Sequence, residues 1–131
     1  MPAFGSVSRA NLAECDPRLV LLFNEVIKYW DCTVIDGART VAEQKKNVAK
    51  GVSKTMDSKH LRQANGFSHA ADVAPYPVDW TDTNRFYAFA GFVMGIAVAR
   101  GIRLRWGGDW NMNRNLKDQT FFDLVHFELV P

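Results

Sequence analysis

The stretch SKHLRQANGFSHAADVAPYP, residues Ser58–Pro77, contains a short apolar run that is interrupted by one acidic residue. Within it, HAADVAP predicts a β-strand that is closed by Pro75 and Pro77, because proline cannot donate to a strand ladder. Asp72 occupies a position where a half-buried strand ordinarily carries an apolar side chain. A carboxylate at such a position indicates a functional role, since a polar group is costly to bury without a partner.

The residues that precede this stretch predict a core helix and a strand. Asp16 and Pro17 match an N-cap followed by proline at the first helical position, and apolar residues then recur at helical spacing as far as Trp30. CTVID, residues 32–36, predicts a short strand that ends at Gly37.

A second helix is predicted from the capping box formed by Thr40 and Glu43. This helix runs to about Lys50, and Gly51 is its C-terminal stop. The segment Val52–Ser68 has no sustained apolar period, so it predicts a loop.

The C-terminal half predicts one long helix and two more strands. The helix runs from about Asp82 to Arg100, with Gly101 as its C-cap. IRLRW (102–106) and LVHFELV (124–130) alternate as strands do. We therefore expect an α+β fold in which a short, mainly antiparallel sheet packs against helices, rather than a doubly wound parallel sheet.

Composition limits the classes of protein that need to be considered. With 131 residues, 47% of them hydrophobic and 23% charged, the chain predicts one soluble domain over residues 1–131, and we expect a monomer. A net charge of +2 without a clustered basic face argues against a nucleic-acid partner. The sequence predicts neither stable membrane insertion nor a secretory signal, which indicates the cytoplasm. Cys15 and Cys32 predict reduced, packed thiols.

His60, Asp72 and His126 are the residue types of a catalytic zinc site, in which three protein ligands leave the fourth position for water. Zinc polarises a carbonyl and lowers the pKa of such a water to about 7, so hydrolysis is the natural use of the site. HExxH is not present in the sequence, and the ligands must therefore come from separate strands and loops. Scattered histidines are more often packed or exposed side chains, and these residue types support a metal site only weakly.

Two carboxylates near His126 are candidates for a general base. In a strand His126 shares a face with Glu128, and Asp123 precedes it by three residues. The alternative for Asp123 is an ordinary turn residue, and Glu128 is alternatively a solvated or ligand-supporting carboxylate.

Five motifs in order, GARTVAEQ, SKH, HAADVAPYPVDW, RWGGDW and DLVHFEL, resemble the zinc D-alanyl-D-alanine carboxypeptidase and L-alanyl-D-glutamate endopeptidase family, and most closely its small phage endolysin branch. The resemblance runs from about Ile35 to the C-terminus. It implies zinc-dependent hydrolysis of the L-alanyl-D-glutamate bond in the peptidoglycan stem peptide. It also implies accumulation in the host cytoplasm and access to the wall after a separate protein permeabilises the membrane.

Within this resemblance, His60, Asp72 and His126 correspond to the zinc ligands and Asp123 corresponds to the general base. Two alternatives remain at this stage. One is a D-alanyl-D-alanine carboxypeptidase or dipeptidase with the same metal chemistry. The other is a zinc-stabilised wall-binding module without turnover, since fold and metal do not establish catalysis.

Three further residues receive substrate roles from the same resemblance. Arg39 corresponds to the arginine that faces a substrate carboxylate or an oxyanion, with Gln44 and Ser58 beside it. Arg39 is alternatively a surface charge at a helix entry, Gln44 an exposed helix residue and Ser58 a loop cap.

The sequence departs from the family in the spacing of the first two ligands, because LRQANGFSHAA separates His60 from Asp72. His69 is closer to Asp72 along the chain. A strand that extends back to His69 directs the two side chains to opposite faces, whereas a strand that begins at Ala70 or Ala71 leaves His69 able to turn towards the metal. We expect His60 to be the ligand, because lengthening a loop costs only about 0.6 kcal/mol per doubling.

Overall fold

A computed structural model of the chain describes residues 2–51 and 58–131. Within these ranges the helices are α1 (Ser6–Ala13), α2 (Pro17–Ile27), α3 (Val41–Ala49), α4 (Thr83–Ala99) and a 3₁₀ turn (Leu116–Asp118). The strands are β1 (Cys32–Asp36), β2 (Ala70–Pro75), β3 (Leu104–Trp106) and β4 (His126–Leu129).

The strands form one antiparallel sheet in the order β1-β2-β4-β3. The predicted α+β fold with an antiparallel sheet is therefore confirmed. In the register of this sheet, Asp36 of β1 lies opposite Asp72 of β2, and Asp72 lies opposite His126 of β4. Directly opposite residues project from the same face, so this row collects polar side chains on one side of the sheet.

The hydrophobic core lies on the other side of the sheet, against α2 and α4. Phe127 of β4 is fully buried, and its ring lies edge-on to Phe23 of α2 at 5.6 Å and to Phe89 of α4 at 6.3 Å between centroids. Burial of a phenylalanine side chain contributes about 2 kcal/mol. Because side chains alternate along a strand, Phe127 in the core directs His126 to the opposite face.

The predicted helix ends are confirmed by their capping hydrogen bonds. Asp16 Oδ1 accepts from the backbone N–H of Arg18 at 2.9 Å and begins α2. Thr40 and Glu43 form the reciprocal capping box that begins α3. Gly101 follows α4 with φ of 70°, a left-handed conformation that glycine adopts without strain.

Helix α1 was not predicted from the sequence. Its apolar pattern is weak and it begins after Gly5, which has no side chain to cap the first turn. The helix packs against β1 through polar contacts, and Ser8 Oγ accepts from the backbone N–H of Val34 at 3.1 Å. Tertiary packing, rather than a local signal, therefore stabilises this helix.

The segment before β2 agrees with the predicted loop where it is described. Residues 58–69 contain turns and isolated bridges, whereas residues 52–57 of the predicted loop lie outside the described residues. Strand β2 begins at Ala70, so the expectation that it extends back to His69 is wrong.

Cys15 and Cys32 are free thiols in the core, as predicted. Burial raises the pKa of each thiol to about 12, so both remain protonated at neutral pH. Across residues 2–51 and 58–131, none of the helices has the length and apolarity that crossing a membrane requires.

Candidate metal centre

Three ligand-type atoms from distant parts of the chain converge at one point. His60 Nε2 lies 3.1 Å from both Asp72 Oδ1 and His126 Nδ1, and Asp72 Oδ1 lies 3.4 Å from His126 Nδ1. Tetrahedral coordination with metal–ligand distances of about 2.0–2.2 Å separates ligand atoms by about 3.3 Å. The observed spacing therefore fits a metal ion bound by these three side chains.

Secondary structure supplies two of these side chains and a loop supplies the third. Asp72 and His126 are cross-strand partners in β2 and β4, on the face that points away from the aromatic core. His60 comes from the turn before β2 and is only 2% exposed. The sheet register fixes the backbone of the two strand ligands, whereas the position of the loop residue depends on contacts outside the strands.

The backbone carbonyl of Gly37 orients His60. His60 Nδ1 lies 2.8 Å from Gly37 O, so Nδ1–H donates there and the Nε2 lone pair faces the centre. A Cβ at Gly37 would lie 2.1 Å from the carbonyl oxygen of Asn11 in α1. The close packing of α1 therefore requires glycine at this position, and through it the unpredicted helix supports a candidate ligand.

Glu128 orients His126 through the opposite ring nitrogen. His126 Nε2 donates to Glu128 Oε1 at 2.8 Å, which leaves Nδ1 to face the centre. Glu128 is buried, with Arg105 Nη1 3.7 Å from its other oxygen. Burial lowers the pKa of His126, but the carboxylates of Asp72 and Glu128 outweigh it and raise this pKa to about 9. A cation at Nδ1 would therefore replace a proton.

Asp72 remains ionised at the centre. Burial opposes its ionisation, but the neighbouring side chains of His126 and His60 outweigh burial and hold the pKa of Asp72 well below its usual range. An ionised carboxylate beside two imidazoles is a donor set that suits a transition-metal ion.

Asp123 lies at the edge of the centre, with Oδ2 4.0 Å from His126 Nδ1 and about one third of its side chain exposed. Burial, and then the charge of Asp72, raise the pKa of Asp123 above its ordinary value. The backbone N–H of Asp123 donates to Gly107 O at 2.8 Å. A Cβ at Gly107 would lie 2.1 Å from Asp123 O, so glycine allows this close approach.

Arg39 approaches the centre from the side of β1. Its Nη2 lies 3.0 Å from Asp36 Oδ2 and 3.9 Å from Asp72 Oδ2, and its Nη1 donates to Gln44 Oε1 at 2.6 Å. Gln44 is fully buried, so its side chain meets Arg39 rather than solvent. Ser58 is buried as well, and its Oγ accepts from the backbone N–H of His60 at 3.2 Å.

His69 is held away from the centre by other partners. Its Nε2 lies 3.1 Å from Asn65 Oδ1 and 3.5 Å from Asp16 Oδ2. Polar contacts with the start of α2 and with the preceding turn therefore keep His69 away from the centre. Strand alternation is not the cause, because β2 begins one residue after His69.

Two residues near the centre were missed in the sequence analysis. Asp36 was treated only as the end of a strand, and Trp110 only as part of the RWGGDW motif. The ring of Trp110 lies 5.3 Å from that of His126, and its Nε1–H donates to Phe121 O at 2.9 Å. Trp110 therefore forms one wall of the centre, and the RWGGDW motif was the signal that could have identified it.

Comparison with known proteins gives one consistent result. The family described as "Phage L-alanyl-D-glutamate peptidase" matches residues 2–130. The L-alanyl-D-glutamate peptidase of Escherichia phage T5 is 33% identical over 135 residues, which cover 97% of this chain and 97% of that protein. The crystal structure of the Serratia marcescens L-Ala D-Glu endopeptidase ChiX is similar with a TM-score of 0.76 and 29% identity, over 98% of this chain and 90% of that one.

Proposed function

This chain belongs to the phage L-alanyl-D-glutamate peptidase family, and we propose that it works with a zinc ion bound by His60, Asp72 and His126. It is a peptidoglycan hydrolase that cleaves the bond between L-alanine and D-glutamate. The observation that supports the metal site is the convergence of three ligand atoms within 3.4 Å of one another.

Zinc is proposed because of the donor set and the reaction. Magnesium and calcium favour oxygen ligands, whereas two imidazoles suit zinc, iron, copper or nickel. Amide hydrolysis transfers no electrons, so a redox-inactive ion with three protein ligands suffices. When bound, zinc supplies Lewis acidity that polarises the scissile carbonyl and makes water nucleophilic near neutral pH.

We assign the proton transfers to Asp123. Its Oδ2 accepts a proton from the attacking water and then delivers it to the departing D-glutamate nitrogen. The position of Oδ2, 4.0 Å from His126 Nδ1, and the raised pKa of this carboxyl both support the assignment. Glu128 is a poorer candidate because its Oε1 is already hydrogen-bonded to His126 Nε2.

We assign substrate recognition to Arg39, whose guanidinium would pair with a substrate carboxylate or with the oxyanion that develops at the carbonyl. Its proximity to Asp72 supports this role. Gln44 would act on the substrate through Arg39, since its buried amide oxygen accepts from that side chain. Ser58 would act by supporting the backbone of the His60 turn.

The proposed substrate is the stem peptide of the bacterial wall. We also propose that the enzyme accumulates in the host cytoplasm and acts on the wall after a separate protein permeabilises the membrane. The phage family assignment is the support for this site of action.

Mass spectrometry of the products of purified peptidoglycan tests the proposed function. Zinc-loaded enzyme should release fragments that carry a new N-terminal D-glutamate, and a chelator should stop their formation. Release of free D-alanine alone would instead indicate a carboxypeptidase. Binding to the wall without any new amine or carboxylate end would indicate a non-catalytic module.

A further inference from the structure

Strand β1 contains a β-bulge beside the metal centre. Val34 pairs with Val73 of β2, but the next pair is Asp36 with Asp72, and Ile35 is the extra residue between them. In an uninterrupted antiparallel register, Ile35 would face Asp72 and Asp36 would face Ala71. The bulge therefore moves one carboxylate into the row of the metal centre, as bulges beside active sites do.

Helix α1 holds this bulge in place. Asn11 Nδ2 donates to the carbonyl oxygens of Val34 at 2.9 Å and of Ile35 at 3.2 Å. These two carbonyls flank the point where the register shifts. Because the side chain of Asn11 satisfies both, the bulge is a defined feature of the fold, and the position of Asp36 follows from it.

The bulge places two carboxylates opposite each other across β1 and β2. Like charges in directly opposite positions destabilise a sheet unless another group compensates. Arg39 supplies the compensation, because its Nη2 lies 3.0 Å from Asp36 Oδ2 and 3.9 Å from Asp72 Oδ2. Asp36 therefore makes the closer contact with the guanidinium, and Asp72 Oδ1 remains directed at the two histidines.

We propose that Asp36 is a positioning residue that holds the Arg39 guanidinium ready for substrate. The inference rests on the substrate role proposed above for Arg39. Gln44 accepts a hydrogen bond from Nη1 of Arg39, and Asp36 accepts one from Nη2. The plane of the guanidinium is therefore fixed at two points. Arginine has five N–H donors, and those that remain serve the substrate carboxylate or the oxyanion. Fixing the side chain beforehand removes an ordering cost from substrate binding.

A double-mutant cycle with Arg39 tests whether Asp36 acts through it. Arg39→Ala should lower kcat/KM by about 10² to 10³. Asp36→Ala should lower it on the order of tenfold to a hundredfold, because the guanidinium loses one of its two anchors. Asp36→Asn keeps an oxygen acceptor and should retain most of the activity. In the Arg39→Ala background, Asp36→Ala should cause no further loss.

A second readout does not depend on activity. Side-chain ¹⁵N NMR of arginine reports rotation of the guanidinium, and loss of signals in Arg39→Ala identifies those of Arg39. Its terminal nitrogens should be resolved in the wild type and averaged in Asp36→Ala. Asp79→Ala is the matched control, because Asp79 is exposed and bonds locally to Thr81. This control should leave the Arg39 signals unchanged.

Several outcomes would overturn the inference. An Asp36→Ala loss of equal size in both backgrounds, unchanged Arg39 signals, or zinc loss in proportion to activity would each contradict it. The same measurements are made on Asp36→Ser in case the alanine variant does not fold. The serine hydroxyl is too short to reach Arg39, so this variant should behave as Asp36→Ala does. Absence of wild-type hydrolysis would contradict the proposed function instead, while the NMR comparison would still decide the position of Arg39.

Discussion

Asp72 in β2 and His126 in β4 are direct cross-strand partners, and Asp72 Oδ1 lies 3.4 Å from His126 Nδ1. Both side chains project from the face that the aromatic core leaves free, because Phe127 occupies the core face of β4. The sheet register therefore holds two of the three candidate ligands, and the geometry of the centre depends on long-range pairing more than on any local motif.

Replacement of the proposed base should separate catalysis from metal binding. Asp123→Asn keeps all three candidate ligands but removes the group that accepts the water proton, so hydrolysis should fall by about 10² to 10⁴. Zinc content and wall-lysis rate are measured on the same preparation. Near-normal lysis with full zinc would mean that another carboxylate, with Glu128 the nearest alternative, is the base.

Removal of the carboxylate that orients His126 should weaken metal binding. Glu128→Ala should lower zinc affinity about 10- to 100-fold, because Nε2–H loses its buried acceptor. Glu128→Gln should be milder, since its amide oxygen can still accept. Competition with a chromophoric chelator measures the affinity, and Glu25→Ala, at a carboxylate paired with Lys28 and Arg100, is the control. Equal affinities in all variants would contradict the orienting role.

The two histidines of the Ser58–Pro77 stretch should behave differently. His60→Ala should remove zinc and activity together, because Nε2 faces the centre. His69→Ala should keep stoichiometric zinc, because His69 contacts Asn65 and Asp16 instead. Metal analysis of the two purified variants decides the point, and the reverse pattern would reassign the ligand.

The N-cap of α2 should make stability depend on pH. Hydrogen bonds from Arg18 and then Asn65 outweigh burial and lower the pKa of Asp16 below its usual value. The stability that ionised Asp16 contributes is therefore complete above the unfolded pKa of about 3.9 and is lost as pH falls through the lower folded pKa.

Urea unfolding of the wild type and Asp16→Ala between pH 2 and 7 measures this contribution. The wild type should be more stable by about 1–2 kcal/mol at neutral pH, and this difference should shrink only below pH of about 4. If the stability difference between the wild type and Asp16→Ala stayed constant over this pH range, the charge of Asp16 would not contribute to stability.

Features that depend on neighbouring residues were predictable from the sequence. The capping box of Thr40 and Glu43, the N-cap at Asp16 and the left-handed Gly101 are local, and each appears where it was predicted. Short apolar or alternating segments also predicted the strands, and the order of the helices and strands predicted the α+β fold.

Features that depend on distant pairing were not predictable. Helix α1 lacks a local signal, and the bulge at Ile35 appears only when β1 is paired with β2. The role proposed for Asp36 follows from that bulge, so no motif could reveal it. Residue types grouped His60 with Asp72 only weakly and the family resemblance strengthened the grouping, because chain spacing alone does not show that their side-chain atoms lie 3.1 Å apart.

Crystallographic anomalous scattering at the zinc edge tests the central claim, zinc ligation by His60, Asp72 and His126, most directly. We predict one strong peak at about 2.0–2.2 Å from His60 Nε2, Asp72 Oδ1 and His126 Nδ1, with the Asp123 carboxylate beside it. A zinc peak at His69, or no zinc peak among these three atoms in an enzyme that still cleaves the L-alanyl-D-glutamate bond, would contradict it.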